Sequence, residues 1–249
     1  MLIVDRQKRL LDLIREQGSA QLEALAEALE VSSSTIRRDI DVLEAQGVVE
    51  STRGGVIFRG RSTATLGLEE RLKEAIEAKR LIGKVAADMV EPGMTVYVDG
   101  GSTVQYAIEQ ITARPLQIVT NSLTVAAYFA ADTQVELLVL GGQHYPRSGV
   151  LIGPITTQAL SGLHADLMLF SCAAIYEQDV FNSNLVMAEV ERIALKQTAR
   201  RVLLMDSSKF GRKSLARVCS TSEVDLIITD AGVSERWQKT LGDRLEIAR

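Results

Sequence analysis

Beyond Gly93, six short apolar runs alternate with longer helical stretches, and this pattern limits the fold more than any other feature of the chain. The runs cover residues 95–98, 116–119, 135–140, 166–170, 202–205 and 226–228. Apolar runs this short, separated by helices, predict a mostly parallel sheet covered by helices on both faces. A chain of 249 residues with 46% apolar content has room for such an α/β domain beside a smaller one.

The residues just after each run carry the chemistry. The first run leads into Asp99-Gly100-Gly101-Ser102-Thr103, the second into Thr120-Asn121-Ser122 and the third into Gly141-Gly142. The fourth meets Ser171-Cys172-Ala173, the fifth Asp206-Ser207-Ser208-Lys209, and the last Thr229-Asp230. Polar residues and glycines therefore gather at the carboxyl ends of the strands, where open α/β sheets bind ligands. Glycines let the backbone approach a ligand, and free amides at a helix start favour an anion. Ser102 and Thr103 add hydroxyls and Lys209 a positive charge. The expected binding set for a small anionic metabolite is Asp99, Gly100, Gly101, Ser102, Thr103, Thr120, Asn121, Gly141, Gly142 and Lys209. A glycine loop alone is weak evidence, since many strand-to-helix turns need glycine for geometry.

The first sixty residues read differently. Leu10, Leu11, Leu13 and Ile14 recur at helical spacing up to Gly18, which serves as a C-cap. Leu22, Leu25, Ala26 and Leu29 form the apolar face of a second short helix, with Ala26 small enough for a close crossing. Val31 packs inward, Ser32 caps a third helix, and Ile36, Ile40 and Leu43 bury its inner face before Gly47 ends it. Removing the buried positions leaves Ser33, Ser34, Thr35, Arg37 and Arg38 facing outward near its start. That is the pattern of a helix-turn-helix, whose second helix offers its N-terminal residues to base edges in the major groove. Two β-prone runs around Arg53-Gly54-Gly55 predict a hairpin, a wing whose tip reaches the DNA backbone or minor groove. The expected DNA-contacting set is Ser32, Ser33, Ser34, Thr35, Arg37, Arg38, Arg53, Gly54 and Gly55.

The stretch Val31 to Ile40, followed by Leu43-Glu44 and Arg53-Gly54-Gly55, resembles the N-terminal domain of the DeoR family of bacterial transcriptional regulators. The second half shares that resemblance through the Asp99 to Thr103 loop, Thr120-Asn121, Gly141-Gly142, Gly153-Pro154 and Asp206 to Phe210, in that order. The resemblance implies a winged helix-turn-helix joined to a sugar-phosphate-isomerase-like α/β domain. It further implies a repressor that senses a phosphorylated sugar and forms a homodimer or larger homo-oligomer. Two departures stand out. Phe170-Ser171-Cys172-Ala173-Ala174-Ile175 occupies the place of a glycine-rich family segment, and Met187 to Glu191 that of a Glu-Ala-Glu-x-Lys motif.

Residues 1–58 are expected to form the DNA-binding domain, 59–75 a linker containing the polar stretch from Arg59 to Gly67, and 76–249 the effector domain. A single charged helix is expected from Glu69 to Met89. The net charge of −4 argues against a protein that coats nucleic acid non-specifically, though not against a local basic face. Cys172 and Cys219 show no metal-ligand spacing, so no cofactor or metal is expected, and Cys172 reads as a small buried hydrophobe. His144 reads equally as an anion contact, with Arg147, or as a loop residue, and Trp237 as packing for the last helix. No membrane-spanning run or signal-peptide pattern is present, which points to the cytoplasm. The expected partners are a double-stranded DNA operator and a small phosphorylated sugar. The alternative is a sugar-phosphate isomerase fused to a DNA-binding domain, with Asp99, Asp206 and Lys209 recruited for catalysis.

Overall fold

The structure is a computed structural model that describes residues 3–17, 19–45, 48–52, 54–58 and 66–249. The caps expected at Gly18 and Gly47, the wing-tip Arg53 and residues 59–65 of the linker lie outside the described residues. The chain divides into two compact units, Met1–Thr65 and Leu66–Arg249.

In the first unit, α1 (Ile3–Gln17) is followed by β1 (Ser19–Gln21), α2 (Leu22–Ala28), α3 (Ser33–Ala45), β2 (Val49–Thr52) and β3 (Gly55–Phe58). Leu10 and Ile14 of α1 meet Leu22, Leu25 and Ala26 of α2 and Ile36, Ile40 and Leu43 of α3 in one core. The wing is an antiparallel pair of β2 and β3. β1, absent from the sequence expectation, adds to the outer edge of β3, with Ala20 opposite Val56. A three-residue strand has too little pattern to be read locally, and its pairing exists only once the hairpin has formed.

The second unit opens with α4 (Leu68–Leu72) and α5 (Ile76–Ala87). The single helix expected from 69 to 89 is thus two helices, broken where Ala75 takes a left-handed backbone at φ 50°. Residues 66–75, expected within the linker, belong to this unit. Leu68 is buried, its amide donates to the Arg147 carbonyl at 2.9 Å, and the Tyr106 hydroxyl donates to the Leu72 carbonyl at 2.9 Å. Helix propensity is good on both sides of Ala75, so these tertiary contacts, not the local sequence, set the break and the boundary.

The remaining elements are β4 (Thr95–Val98), α6 (Ser102–Ile108), β5 (Leu116–Thr120), α7 (Leu123–Phe129), β6 (Val135–Val139), β7 (Gln143–Tyr145), β8 (Val150–Ile152), α8 (Pro154–Ser161) and β9 (Ala165–Phe170). They continue with β10 (Ala174–Tyr176), β11 (Asp179–Asn182), α9 (Leu185–Lys196), β12 (Thr198–Leu204), β13 (Ala216–Ser220), β14 (Leu226–Asp230), α10 (Glu235–Leu241) and β15 (Leu245–Ala248). Seven strands form the central sheet in the order β15-β14-β12-β9-β4-β5-β6, and every neighbouring pair is parallel. The pleat sends alternate residues to opposite layers. Val96 and Val98 join the core beneath α5 and α6, whereas Tyr97 joins the core that includes α9. Successive strands step one way from β4 to β6 and the other way from β9 to β15. The order therefore reverses between β4 and β9, and the crevice at that reversal is where the carboxyl ends of two strands splay apart. Asp99 follows β4 there, and Ser171 follows β9.

Candidate functional site

On α3, the Ser32 hydroxyl accepts from the Thr35 amide at 3.3 Å and lies 2.9 Å from the hydroxyls of both Ser34 and Thr35. The cap thus takes up one amide of the first helical turn and fixes three hydroxyls together. Ser32, Ser34, Arg37 and Arg38 are exposed, and Ser33 and Thr35 half-buried, while Ile36, Asp39 and Ile40 turn inward. Arg37 and Arg38 have no partner among the described residues, which leaves both guanidinium groups available to phosphates or base edges.

Two polar ties hold this helix in place. Asp39 is buried and pairs with Arg6 of α1, Nε to Oδ2 at 2.6 Å, while Gln7 donates to its other oxygen at 3.0 Å. Burial pushes the Asp39 carboxyl upward, but the bonds from Arg6 and Gln7 outweigh it and leave the pKa lowered. At the other end, the Glu44 carboxylate accepts from the Ser51 amide at 2.8 Å and the Ser51 hydroxyl at 2.7 Å, fastening β2 to α3. Neither tie is visible in periodicity, because both join positions that read as solvated. Gly54 sits in the turn at φ 86°. Gly55 is required for space, since a Cβ there would stand 2.8 Å from the Ala20 carbonyl oxygen on β1.

In the second unit, Asp99, Ser102, Thr103 and Lys209 come together with Ser171 at the reversal of strand order. All five are buried. The Asp99 carboxylate accepts from the amides of Gly100 and Ser171, yet its Oδ2 has no partner, and neither does the Thr103 hydroxyl. Burial pushes the Asp99 carboxyl up to about 7, against those amides and the nearby Arg71 charge. The Lys209 ammonium lies 3.4 Å from the Ser171 hydroxyl. Burial lowers its pKa, and the charge of Asp206 opposes that. Burial likewise pushes Asp206 up, but Lys209, the Ser208 hydroxyl and Lys79 leave it lowered overall.

The other expected residues have different duties. The Thr120 hydroxyl donates to the Val98 carbonyl at 2.6 Å and accepts from the Ser122 amide at 3.0 Å. Asn121 accepts from the Tyr97 hydroxyl at 3.1 Å and donates to the Leu151 carbonyl at 2.9 Å. Both side chains therefore stitch β4, β5 and β8 together. Gly100 packs on β8, where a Cβ would fall 2.2 Å from Val150 Cγ1, and a Cβ on Gly101 would stand 3.1 Å from that of Ser171. The Gly141 carbonyl accepts from the Thr156 hydroxyl at 2.7 Å, and a Cβ on Gly142 would meet that same hydroxyl at 2.1 Å.

Sequence reading missed three charged residues that the fold brings near this site. Arg71 on α4 stands among Asp99, Arg147 and Tyr145. Lys79 on α5 is buried, donates to the carbonyls of Arg71 and Glu74, and is pushed down to about 8 by burial, with the Lys209 charge adding to this. Glu191 on α9 is buried beside Asn182, whose amide donates to it at 2.5 Å. Burial and the Asp99 charge hold the Glu191 carboxyl well above the usual range. Cys172 is buried with its sulfur 4.0 Å from Glu191. His144 is exposed on β7, and Trp237 packs edge-on against Phe210 with ring centres 5.4 Å apart. Among the described residues, no group of His, Cys, Asp and Glu is placed to hold a metal ion, and no helix is long and apolar enough to cross a membrane.

Residues 6–61 match the family model described as the DeoR-like helix-turn-helix domain, and residues 74–231 the one described as the DeoR C terminal sensor domain. The chain is 32% identical over 240 residues to the lactose phosphotransferase system repressor of Staphylococcus epidermidis, covering 94% of this chain and 95% of that one. It is also 32% identical over 228 residues to the L-fucose operon activator of Escherichia coli, covering 90% and 94%. Among solved structures, ribose 5 phosphate isomerase A from Neisseria gonorrhoeae aligns at a TM-score of 0.37 and 14% identity, over 53% of this chain and 52% of that one.

Proposed function

The chain belongs to the DeoR family of transcriptional regulators, and from that premise we propose that it is a cytoplasmic repressor of carbohydrate-metabolism genes, released from its operator by a phosphorylated sugar. One observation carries the DNA-reading half. The N-terminal face of α3 presents Ser32, Ser34, Arg37 and Arg38 to solvent, capped and braced from behind by buried Asp39. In this reading α3 lies in the major groove, with its hydroxyls on phosphate oxygens and its two arginines on guanine edges or phosphates. A homodimer would set two such helices on half-sites about one helical turn apart, or a multiple of it.

For the sensor half, the support is a cluster at the reversal of strand order, in which buried Lys79 and Lys209 stand near the unpartnered Asp99 and Thr103 oxygens and the Ser102 hydroxyl, read as the lining of a ligand crevice. A phosphate answers the cations, and sugar hydroxyls answer the open oxygens. Thr120, Asn121, Gly141 and Gly142 support that crevice as scaffolding, through cross-strand hydrogen bonds and close packing. The isomerase alternative gains nothing from the family to which the chain belongs.

The test is a gel-shift titration of the full chain on the DNA upstream of its own gene cluster. A bidentate arginine–guanine pair contributes about 1–3 kcal/mol, so Arg37→Ala or Arg38→Ala should weaken binding roughly 5- to 150-fold. Thermal unfolding with sugar phosphates should remain as in the parent protein. Unchanged operator affinity in both variants would remove the assignment of α3. The direction of regulation is read from transcript levels on deletion of the gene, which rise for a repressor.

A further inference from the structure

Arg71 stands on α4, the first element of the second unit and the one from which the chain runs back toward the DNA-binding unit. Its guanidinium Nη2 reaches the Ser148 hydroxyl at 3.3 Å, while its Nε is buried without a partner. The same interior holds Asp99 with an open Oδ2, and Lys209 beyond β12. Arg71, Lys79 and Lys209, with Arg147 beside Arg71, supply positive charge against the carboxyls of Asp99 and Asp206, while the Glu191 carboxyl next to Asp99 is raised well above the usual range by burial. Buried charge of one sign is costly unless a counter-charge joins it.

The helix carrying Arg71 is held at few points. Leu68 is buried and its amide is bonded to the Arg147 carbonyl, Tyr106 bonds the Leu72 carbonyl, and the Lys79 ammonium donates to the carbonyls of Arg71 and Glu74. Lys79 therefore closes the carboxyl end of α4 onto α5, across the left-handed joint at Ala75. It is a positioning residue, and Arg71 is the residue it positions.

We propose that Arg71 is the anion-binding arm of the sensor crevice, gripping a phosphate monoester dianion together with Lys209 and thereby pinning α4 to the sheet. The inference rests on the reading of that crevice as a phosphorylated-effector site. The planar edge formed by Nε and one Nη suits two phosphate oxygens at once, which a lysine cannot match. An anion that bridges Arg71 and Lys209 binds best when α4 is seated. It therefore shifts the population of that seated state by its differential affinity, and the state of α4 is what the connecting chain receives.

The experiment uses the full chain and inorganic phosphate, with chloride at matched ionic strength as control. Trp237 fluorescence reports unfolding of the second unit, and hydrogen exchange reports residues 66–75. Phosphate should stabilise the parent protein saturably and slow exchange in that segment. Arg71→Ala should weaken the apparent phosphate affinity at least tenfold and abolish the slowing. Arg71→Lys, which keeps the charge and guards against misfolding, should weaken it at least threefold. Arg80→Ala, an exposed change on α5, should leave it unaltered. Parental affinity in either Arg71 variant overturns the inference while the effector reading stands. Parental exchange in residues 66–75 with phosphate bound overturns the pinning of α4. No phosphate response in the parent protein overturns the effector reading and the inference together.

Discussion

Replacing Asp99 by asparagine should make the second unit more stable, and increasingly so as pH rises from 5 to 8. Asp99 is 3% exposed, and its carboxyl is raised from 3.8 to about 7 by burial. The folded state therefore holds this proton more tightly than the unfolded chain does. Its contribution to stability is fully present below the unfolded value of 3.8 and is lost as pH rises through 7. A gap of about three pH units at 1.36 kcal/mol each amounts to about 4 kcal/mol in total. About 3 kcal/mol of that falls between pH 5 and pH 8, because the unfolded carboxyl is already ionised at pH 5. The Asp99→Asn variant does not titrate there and keeps an oxygen for the amides of Gly100 and Ser171. Its advantage over the parent should grow by about 3 kcal/mol across that window, then level off. For a unit of this size that is roughly 6–12 °C in melting temperature. Trp237 is the only tryptophan in the chain and lies in this unit, so its fluorescence follows the relevant transition. Melting temperatures of variant and parent that run parallel from pH 5 to pH 8 would refute the reasoning, and would mean that Asp99 is ionised and compensated in the folded state.

Two further changes probe packing. Gly83→Ala in α5 gains about 1 kcal/mol of helix propensity, but overpacking costs about 1–3 kcal/mol. The new Cβ would stand 2.7 Å from the carbonyl carbon and oxygen of Tyr106 and 2.8 Å from the Ala107 nitrogen, all backbone atoms that cannot turn aside. The variant should therefore melt lower, and an equal or higher melting temperature would show that α5 and α6 separate freely. Cys172 and Cys219 are buried, and burial pushes the first thiol well above its ordinary value and the second up to about 12. Neither should react with a disulfide-forming dye at pH 8 until denaturant is added, when two thiols should titrate. Rapid reaction in the native protein would contradict that burial.

The parts legible in the sequence are those set by neighbours along the chain. Leu22, Leu25, Ala26 and Leu29 share one helix face whatever surrounds them, and Ser32 caps the next helix through its own backbone. The apolar runs from β4 to β14 announced a parallel sheet for the same reason. β15 escaped notice because Leu245–Ala248 is short and only its last residue is fully buried even where it pairs with β14. Charge was the least legible quantity. Arg71 and Lys79 stand in a stretch that reads as one charged helix, and local spacing marks neither Asp39 nor Glu191, yet the structure draws all four inward. Burial depends on what the rest of the chain lays across a helix, and no window of local spacing contains that information.

The amino-acid sequence by itself determined a winged helix-turn-helix followed by a parallel α/β domain, and placed polar residues at the strand ends. Both rest on periodicity and capping, which are local. Only the tertiary structure decided which of those polar groups stay open. Thr120 and Asn121 spend their hydrogen bonds across strands, and Val150 fills the space beside Gly100, whereas Asp99 and Thr103 keep an oxygen without a partner. Hydrogen-bond satisfaction is settled between residues far apart in the chain, so the crevice and its Arg71 arm become visible only when the sheet is assembled.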